Sequence, residues 1–104
     1  MIDKVEVAIT PEDTGATLHD KLAEAGAALI LETLTKLENH TATRTKQDDA
    51  QSCYASMLSK EMGRMDFAKS AEELERLIRG LNPWPCAYTE IDGKNVKIYK
   101  AKVI

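Results

Sequence analysis

Leu77-Ile78-Arg79-Gly80-Leu81-Asn82-Pro83-Trp84-Pro85-Cys86-Ala87-Tyr88 reads as a helix end, a rigid aromatic turn and the start of a strand, and it sets out the second half of the chain. Proline fixes φ, removes a backbone donor and pushes the residue before it away from helical geometry, so the helix has to stop by Asn82. The stretch holds the only Trp and two of the three Pro. A large ring between two prolines predicts that Asn82, Pro83, Trp84 and Pro85 form a packed structural anchor setting the helix-to-strand angle. Upstream, Ser70 with Glu73 makes a capping box, and Leu74, Leu77, Ile78 and Leu81 recur on one helical face. Downstream, Cys86–Ile91 and Lys94–Val103 read as two strands joined by Asp92-Gly93, a pair that tolerates the positive φ values of a tight hairpin.

The first half follows other periods. Val5, Val7 and Ile9 alternate with Lys4, Glu6 and Ala8, the pattern of a half-buried strand over Ile2–Ile9, and Thr10-Pro11-Glu12-Asp13 stops it. A helix is predicted from Thr17, whose hydroxyl can cap the amide of Asp20. Leu18, Leu22, Ala25, Leu29, Ile30, Thr33, Leu34 and Leu37 then form one stripe of roughly six turns, read as core rather than a cofactor site. Gly26 in the Ala-rich middle predicts a close approach to a sheet, and Asn39-His40 ends the helix. Thr41–Ser52 lacks periodicity and reads as an extended connector. Cys53, Tyr54, Met57 and Leu58 suggest a short apolar patch, and Met65 with Phe67 one face of a short strand. The fold class is α+β: strand, long helix, extended linker, second helix, β-hairpin.

At 104 residues the chain holds one small domain or pieces of two, and 43% hydrophobic residues with only 5% aromatic predict a modest core. A net charge of −3 argues against a general polyanion binder. Residues 1–50 carry five Lys/Arg against ten Asp/Glu and residues 51–104 nine against seven, so the second half is the one suited to meet an anion. No apolar run approaches the ~18 residues of a membrane span, and no leader pattern opens the chain, so a cytoplasmic protein with reduced thiols is expected. Cys53, Cys86, His19 and His40 fall at no metal-ligand spacing, and no metal site is predicted. Lys94, Lys97, Lys100 and Lys102 interleave with Ile98, Tyr99 and Ala101. That pattern fits a basic strand face for nucleic acid, but better a solvated face whose lysines discourage edge pairing. Arg76 and Arg79 fit ion pairs with Glu72, Glu73 or Glu75, or a phosphate contact.

The whole chain resembles an internal segment of the methionyl-tRNA formyltransferases. The likeness is carried by Pro11-Glu12-Asp13-Thr14-Gly15-Ala16-Thr17-Leu18-His19-Asp20-Lys21-Leu22-Ala23-Glu24, by Gln47-Asp48-Asp49 with Tyr54-Ala55, by Leu58-Ser59-Lys60-Glu61, and by the helix, the Asn82-Pro83-Trp84-Pro85 turn and the hairpin. The resemblance implies that residues 1–41 correspond to the last strand and helix of a nucleotide-fold catalytic domain. Residues 42–60 then correspond to a linker, and 61–104 to the opening of a C-terminal OB-like barrel that helps hold initiator Met-tRNA. It also implies that Lys60 matches a linker lysine associated with tRNA approach, and that Cys86 stands where the family has a small residue and His40 where it has Gly.

The family transfers a formyl group from 10-formyltetrahydrofolate to Met-tRNA. It uses an Asn and a His near a His-Gly-Ser-Leu-Leu-Pro stretch and an Asp in a Leu-Asp-Thr-Gly-Asp-like run, and none of these appears in this sequence. The expectation is therefore a fragment that is inactive alone, with no catalytic and no cofactor-binding residues, and with Lys60, Arg79, Lys94, Lys97 and Lys100 as nucleic-acid contacts. His19, on a first helical turn, reads as an ordinary exposed side chain. Two alternatives stand beside this: an independently folding α+β unit that forms a homo-oligomer through exposed apolar faces, and a weak tRNA-binding module acting through residues 60–102.

Overall fold

Helix α1 (Gly15–Glu38) starts three residues earlier than a cap at Thr17 predicts. The reason is a reciprocal pair: Thr17 N donates to Thr14 Oγ1 at 3.3 Å and Thr14 N donates to Thr17 Oγ1 at 2.9 Å, so Thr14 fills the cap position assigned above to Thr17. The helix ends where predicted, in a Schellman motif. His40 takes φ 55, Thr41 N donates to Lys36 O at 2.8 Å, and His40 N donates to Leu37 O at 3.1 Å.

The computed structural model describes residues 1–104, which divide into two units: Met1–Ile9 with His19–Ser56, and Thr10–Leu18 with Met57–Ile104. In the first unit, Asp3 receives Lys36 Nζ at 2.7 Å and Thr33 Oγ1 at 2.6 Å. Met1 and Thr45 exchange both backbone hydrogen bonds. Residues Ile2–Ile9 form no strand, because alternation supplies a face but no ladder partner lies beside them. The stripe on α1 is not a core within this chain either. Leu22, Ile30, Leu34 and Leu37 are exposed and only Thr33 is buried, since a helix face is buried only by a second layer. A Cβ on Gly26 would meet nothing within 4 Å, so the predicted close approach to a sheet is absent. The connector contains one 3-10 turn, Asp49–Gln51, with Asp48 accepting from Ala50 N at 3.0 Å. The patch expected around Cys53 does not form: Tyr54 is 92% and Met57 91% exposed.

In the second unit, helix α2 (Ala71–Gly80) carries the predicted capping box, with Glu73 N donating to Ser70 Oγ at 3.2 Å and Ser70 N to Glu73 Oε2 at 3.0 Å. Its stripe turns inward: Ile78 and Leu81 are buried with Cys86 and Ala87, and Leu74 and Leu77 are half-buried. Asn82–Pro83 and Trp84–Pro85 are cis peptides. Trp84 is 56% exposed, which corrects its role as a packed anchor within this chain. Pro85, Cys86 and Ala87 take the interior instead, because Cys86 N folds back to Leu81 O at 2.9 Å and leaves the ring on the outside of the turn.

Strands β1 (Ala87–Ile91) and β2 (Lys94–Ile98) pair antiparallel, with Ile91 opposite Lys94, so Asp92 (φ 50) and Gly93 (φ 73) make the two-residue turn. β2 stops at Ile98 rather than Val103. Its partner ends at Ala87, next to Cys86 at φ 74, and Tyr99 O is taken by Asn82 Nδ2 at 2.9 Å. The predicted strand at Met65 reduces to one parallel bridge, Arg64 to Tyr88, with Met65 N donating to Tyr88 O at 2.9 Å. The approach is close because of Gly63: a Cβ there would run into Cys86 O and lie 3.3 Å from Tyr88 Cδ1. The result is a small mixed fold of helices and a two-stranded sheet.

Candidate nucleic-acid interface

Directly opposed residues of an antiparallel pair project to the same side. The hairpin register therefore places Ala87, Thr89, Ile91, Val96, Ile98 and Lys94 on one face, and Tyr88, Glu90, Asn95 and Lys97 on the other. Lys94 and Lys97 are three residues apart in a period of two and so point to opposite sides. The single basic face read from the sequence does not exist in the hairpin. Lys100 lies beyond the end of β2 and is exposed. Lys60 is exposed at the start of the 3-10 turn Glu61–Gly63. Beside it, a hydrogen bond from Ser59 holds the Glu61 carboxyl below its ordinary value.

Arg79 has other partners. Its Nε donates to Glu75 Oε1 at 2.9 Å, one turn away, and its Nη1 donates to Asp13 O at 2.7 Å and Thr10 O at 3.4 Å. The ion-pair alternative holds for Glu75, and the carbonyl contacts were not foreseen. The structure brings none of Lys60, Arg79, Lys94, Lys97 and Lys100 together as a cluster held by ion pairs or shared partners.

The polar face of the hairpin opens onto a cleft of about 370 Å³ lined by Arg64, Met65, Tyr88, Thr89, Glu90 and Asn95. Tyr88 presents a half-buried ring steadied against Gly63, and Lys97 is its cross-strand neighbour. An aromatic face flanked by Arg64 and Lys97 has the chemistry of single-stranded nucleic-acid contacts. Sequence reading passed over Tyr88, Glu90 and Asn95. Their alternation with Ala87, Thr89 and Ile91 was the signal available, and it needed the register to be used.

Formyl transfer requires a base and a polarising donor around one carbonyl. His19 and His40 are both exposed and stand 21 residues apart on and just past α1, roughly 30 Å along a helix. The open, polar cleft holds no histidine. The two histidines therefore do not converge on one carbonyl. No group of three or more His, Cys, Asp or Glu side chains is placed to hold a metal ion, and no helix is long and apolar enough to cross a membrane.

Comparison with known proteins bears on the same elements. Residues 57–104 match the family described as formyl transferase, C-terminal domain. The chain is 54% identical over 103 residues to the methionyl-tRNA formyltransferase of Lachnospira eligens, 50% over 104 residues to that of Agathobacter rectalis, and 47% over 103 residues to that of Geobacter metallireducens. These alignments cover 99%, 100% and 99% of the chain but 32%, 34% and 33% of the relatives, so the chain spans about a third of the length of the curated relatives it matches. With its capped helix, aromatic proline turn and hairpin inside the matched region, the chain corresponds along its whole length to a segment of the methionyl-tRNA formyltransferases that runs into their C-terminal domain.

Proposed function

We propose that residues 57–104 act as a tRNA-docking element in formyl transfer from 10-formyltetrahydrofolate to Met-tRNA, and that the 104 residues alone do not carry out that transfer. In this reading, residues 1–41 are the closing strand and helix of a nucleotide-fold catalytic domain and 42–60 a linker. Residues 61–104 are the first elements of an OB-like barrel, and the setting is cytoplasmic. The observation that carries the proposal is the hairpin's polar face, with Tyr88 beside Lys97 and Arg64, inside the region that matches a formyl transferase C-terminal domain. Lys60, Lys94, Lys97 and Lys100 supply phosphate contacts. Arg79 is left out because its guanidinium is engaged by Glu75 and two carbonyls.

The test is binding of initiator tRNA to the chain across a salt series. Engaging four phosphates, one for each lysine, weakens affinity roughly 50–150-fold between 50 and 200 mM salt. A salt-insensitive affinity, or one unchanged when Lys60, Lys94, Lys97 and Lys100 are all replaced by Ala, refutes the docking role. Turnover above background by the chain alone refutes the second clause.

The exposed Leu22, Ile30, Leu34 and Leu37 of α1 favour a second reading, in which the chain self-associates through that face. A molar mass that rises with concentration supports it, and a constant monomer mass removes it.

A further inference from the structure

Thr10–Leu18 precedes the family-matched region by some forty residues, yet it belongs to the same compact unit as Met57–Ile104. Its shape is set from within. Asp13 is 5% exposed and its carboxylate accepts Thr10 N at 2.8 Å, Thr10 Oγ1 at 3.0 Å and Thr17 Oγ1 at 2.8 Å, while Asp13 N donates to Thr10 O at 3.1 Å. The turn formed in this way is bound from outside through its backbone. Arg79 Nη1 donates to the carbonyls of Asp13 and Thr10, and Ala16 N donates to Asn82 O at 3.2 Å. Gly15 lies so close that a Cβ on it would sit 2.5 Å from Gly80 O and 3.1 Å from Asn82 O. An unpaired amide at the positive end of α1 thus meets a carbonyl just past the negative end of α2, a pairing favoured by both helix dipoles.

We infer that the end of α2 and the Asn82 carbonyl form a docking surface for a carboxylate-folded turn of the type Thr-Pro-Glu-Asp-Thr-Gly-Ala. Its occupant is residues 10–16 of this chain, and Arg79 is the positioning residue of the joint. The cooperative unit is therefore larger than the matched region and discontinuous in sequence. Arg79 recognises peptide carbonyls, which any sequence has, so selectivity comes from the turn's shape: Asp13 aims two carbonyls at one guanidinium, and glycine permits the approach. The inference is independent of the tRNA reading.

Amide hydrogen exchange on the full chain tests it. In the wild type, the Ala16 amide is expected to exchange at least a hundredfold more slowly than an unstructured amide. Arg79→Ala should speed Ala16 at least tenfold while the Thr89 and Val96 amides of the hairpin change less than threefold. Arg79→Lys, which keeps the charge but loses the planar fork, should give the same acceleration. Gly80→Ala on the same surface, where a Cβ meets nothing within 4 Å, should leave Ala16 unchanged. An unprotected Ala16 in the wild type, or protection that survives Arg79→Ala, overturns the inference. If Arg79→Ala speeds the hairpin amides as well, Arg79→Lys alone decides by the same criterion. Loss of tRNA affinity in Arg79→Ala with Ala16 exchange unchanged also overturns it, and returns Arg79 to the nucleic-acid contacts.

Discussion

Replacing Gly15 with Ala should destabilise the second unit, whereas the same change at Gly26, eleven residues along the same helix, should stabilise the first. Alanine is the better helix former by up to about 1 kcal/mol, so propensity alone favours both substitutions. The surroundings separate them. At Gly26 the new methyl meets nothing within 4 Å, so the propensity gain remains. At Gly15 it lands 2.5 Å from Gly80 O, where ordinary contact begins at 3.4 Å, so the joint has to open by about 0.9 Å against two stretches of backbone. Overpacking of that kind costs about 1–3 kcal/mol, and losing the bond from Ala16 N to Asn82 O costs about 1 kcal/mol more. The net expectation is a loss of about 1–3 kcal/mol at Gly15 against a gain of up to about 1 kcal/mol at Gly26. Trp84 is the only tryptophan and lies in the same unit as Gly15, so its fluorescence in a urea titration reports that unit. With a slope of about 1 kcal/mol per molar urea, the Gly15→Ala midpoint should fall by roughly 1–3 M. A midpoint at or above the wild-type value would show that the close approach is not what fixes this position.

Three further outcomes follow from local geometry. His40→Gly should stabilise the end of α1 by about 1 kcal/mol in thermal melts followed at 222 nm, because His40 occupies φ 55, which glycine adopts without a Cβ clash; a lower melting temperature refutes this. Hydrogen bonds from Lys36 and then Thr33 hold the Asp3 carboxyl below its ordinary 3.8, so the stability it lends is complete above that value and is lost as pH falls through the lower folded-state value. The Asp3→Asn variant should be less stable at neutral pH and lose less on acidification to pH 2, and parallel pH profiles for the two proteins would count against the tether. Maleimide under native conditions should label Cys53, which is exposed, and spare Cys86, which is buried with Sγ 2.8 Å from Pro83 O; equal labelling of both thiols by mass spectrometry contradicts the packing of the turn.

What the sequence made legible was whatever depends on neighbours along the chain. Ser70 with Glu73, the stripe through Ile78 and Leu81, and Asp92-Gly93 each act within a few residues, and each appears where the spacing puts it. The parts that were missed need partners far away in sequence. Alternation at Ile2–Ile9 gives a side to bury but says nothing about a neighbouring strand. The stripe on α1 is apolar whether or not anything covers it. Arg79 has a glutamate one turn back, which satisfied a local reading and concealed its contacts with Thr10 and Asp13. The lysines were grouped by proximity along the chain, and only the hairpin register divides Lys94 from Lys97. Trp84 was assigned to the interior on its size and its two flanking prolines, but the turn folds with Pro85 and Cys86 inward.

The joint between Asp13 and Arg79 spans 66 residues of chain, and this orders events during synthesis. At roughly 5–20 residues per second, the turn leaves the ribosome about 3–13 s before the arginine that will grip it has been made. Throughout that interval the turn is kept in shape by bonds within itself, those to the Asp13 carboxylate among them, so Asp13 serves the nascent chain before Arg79 exists.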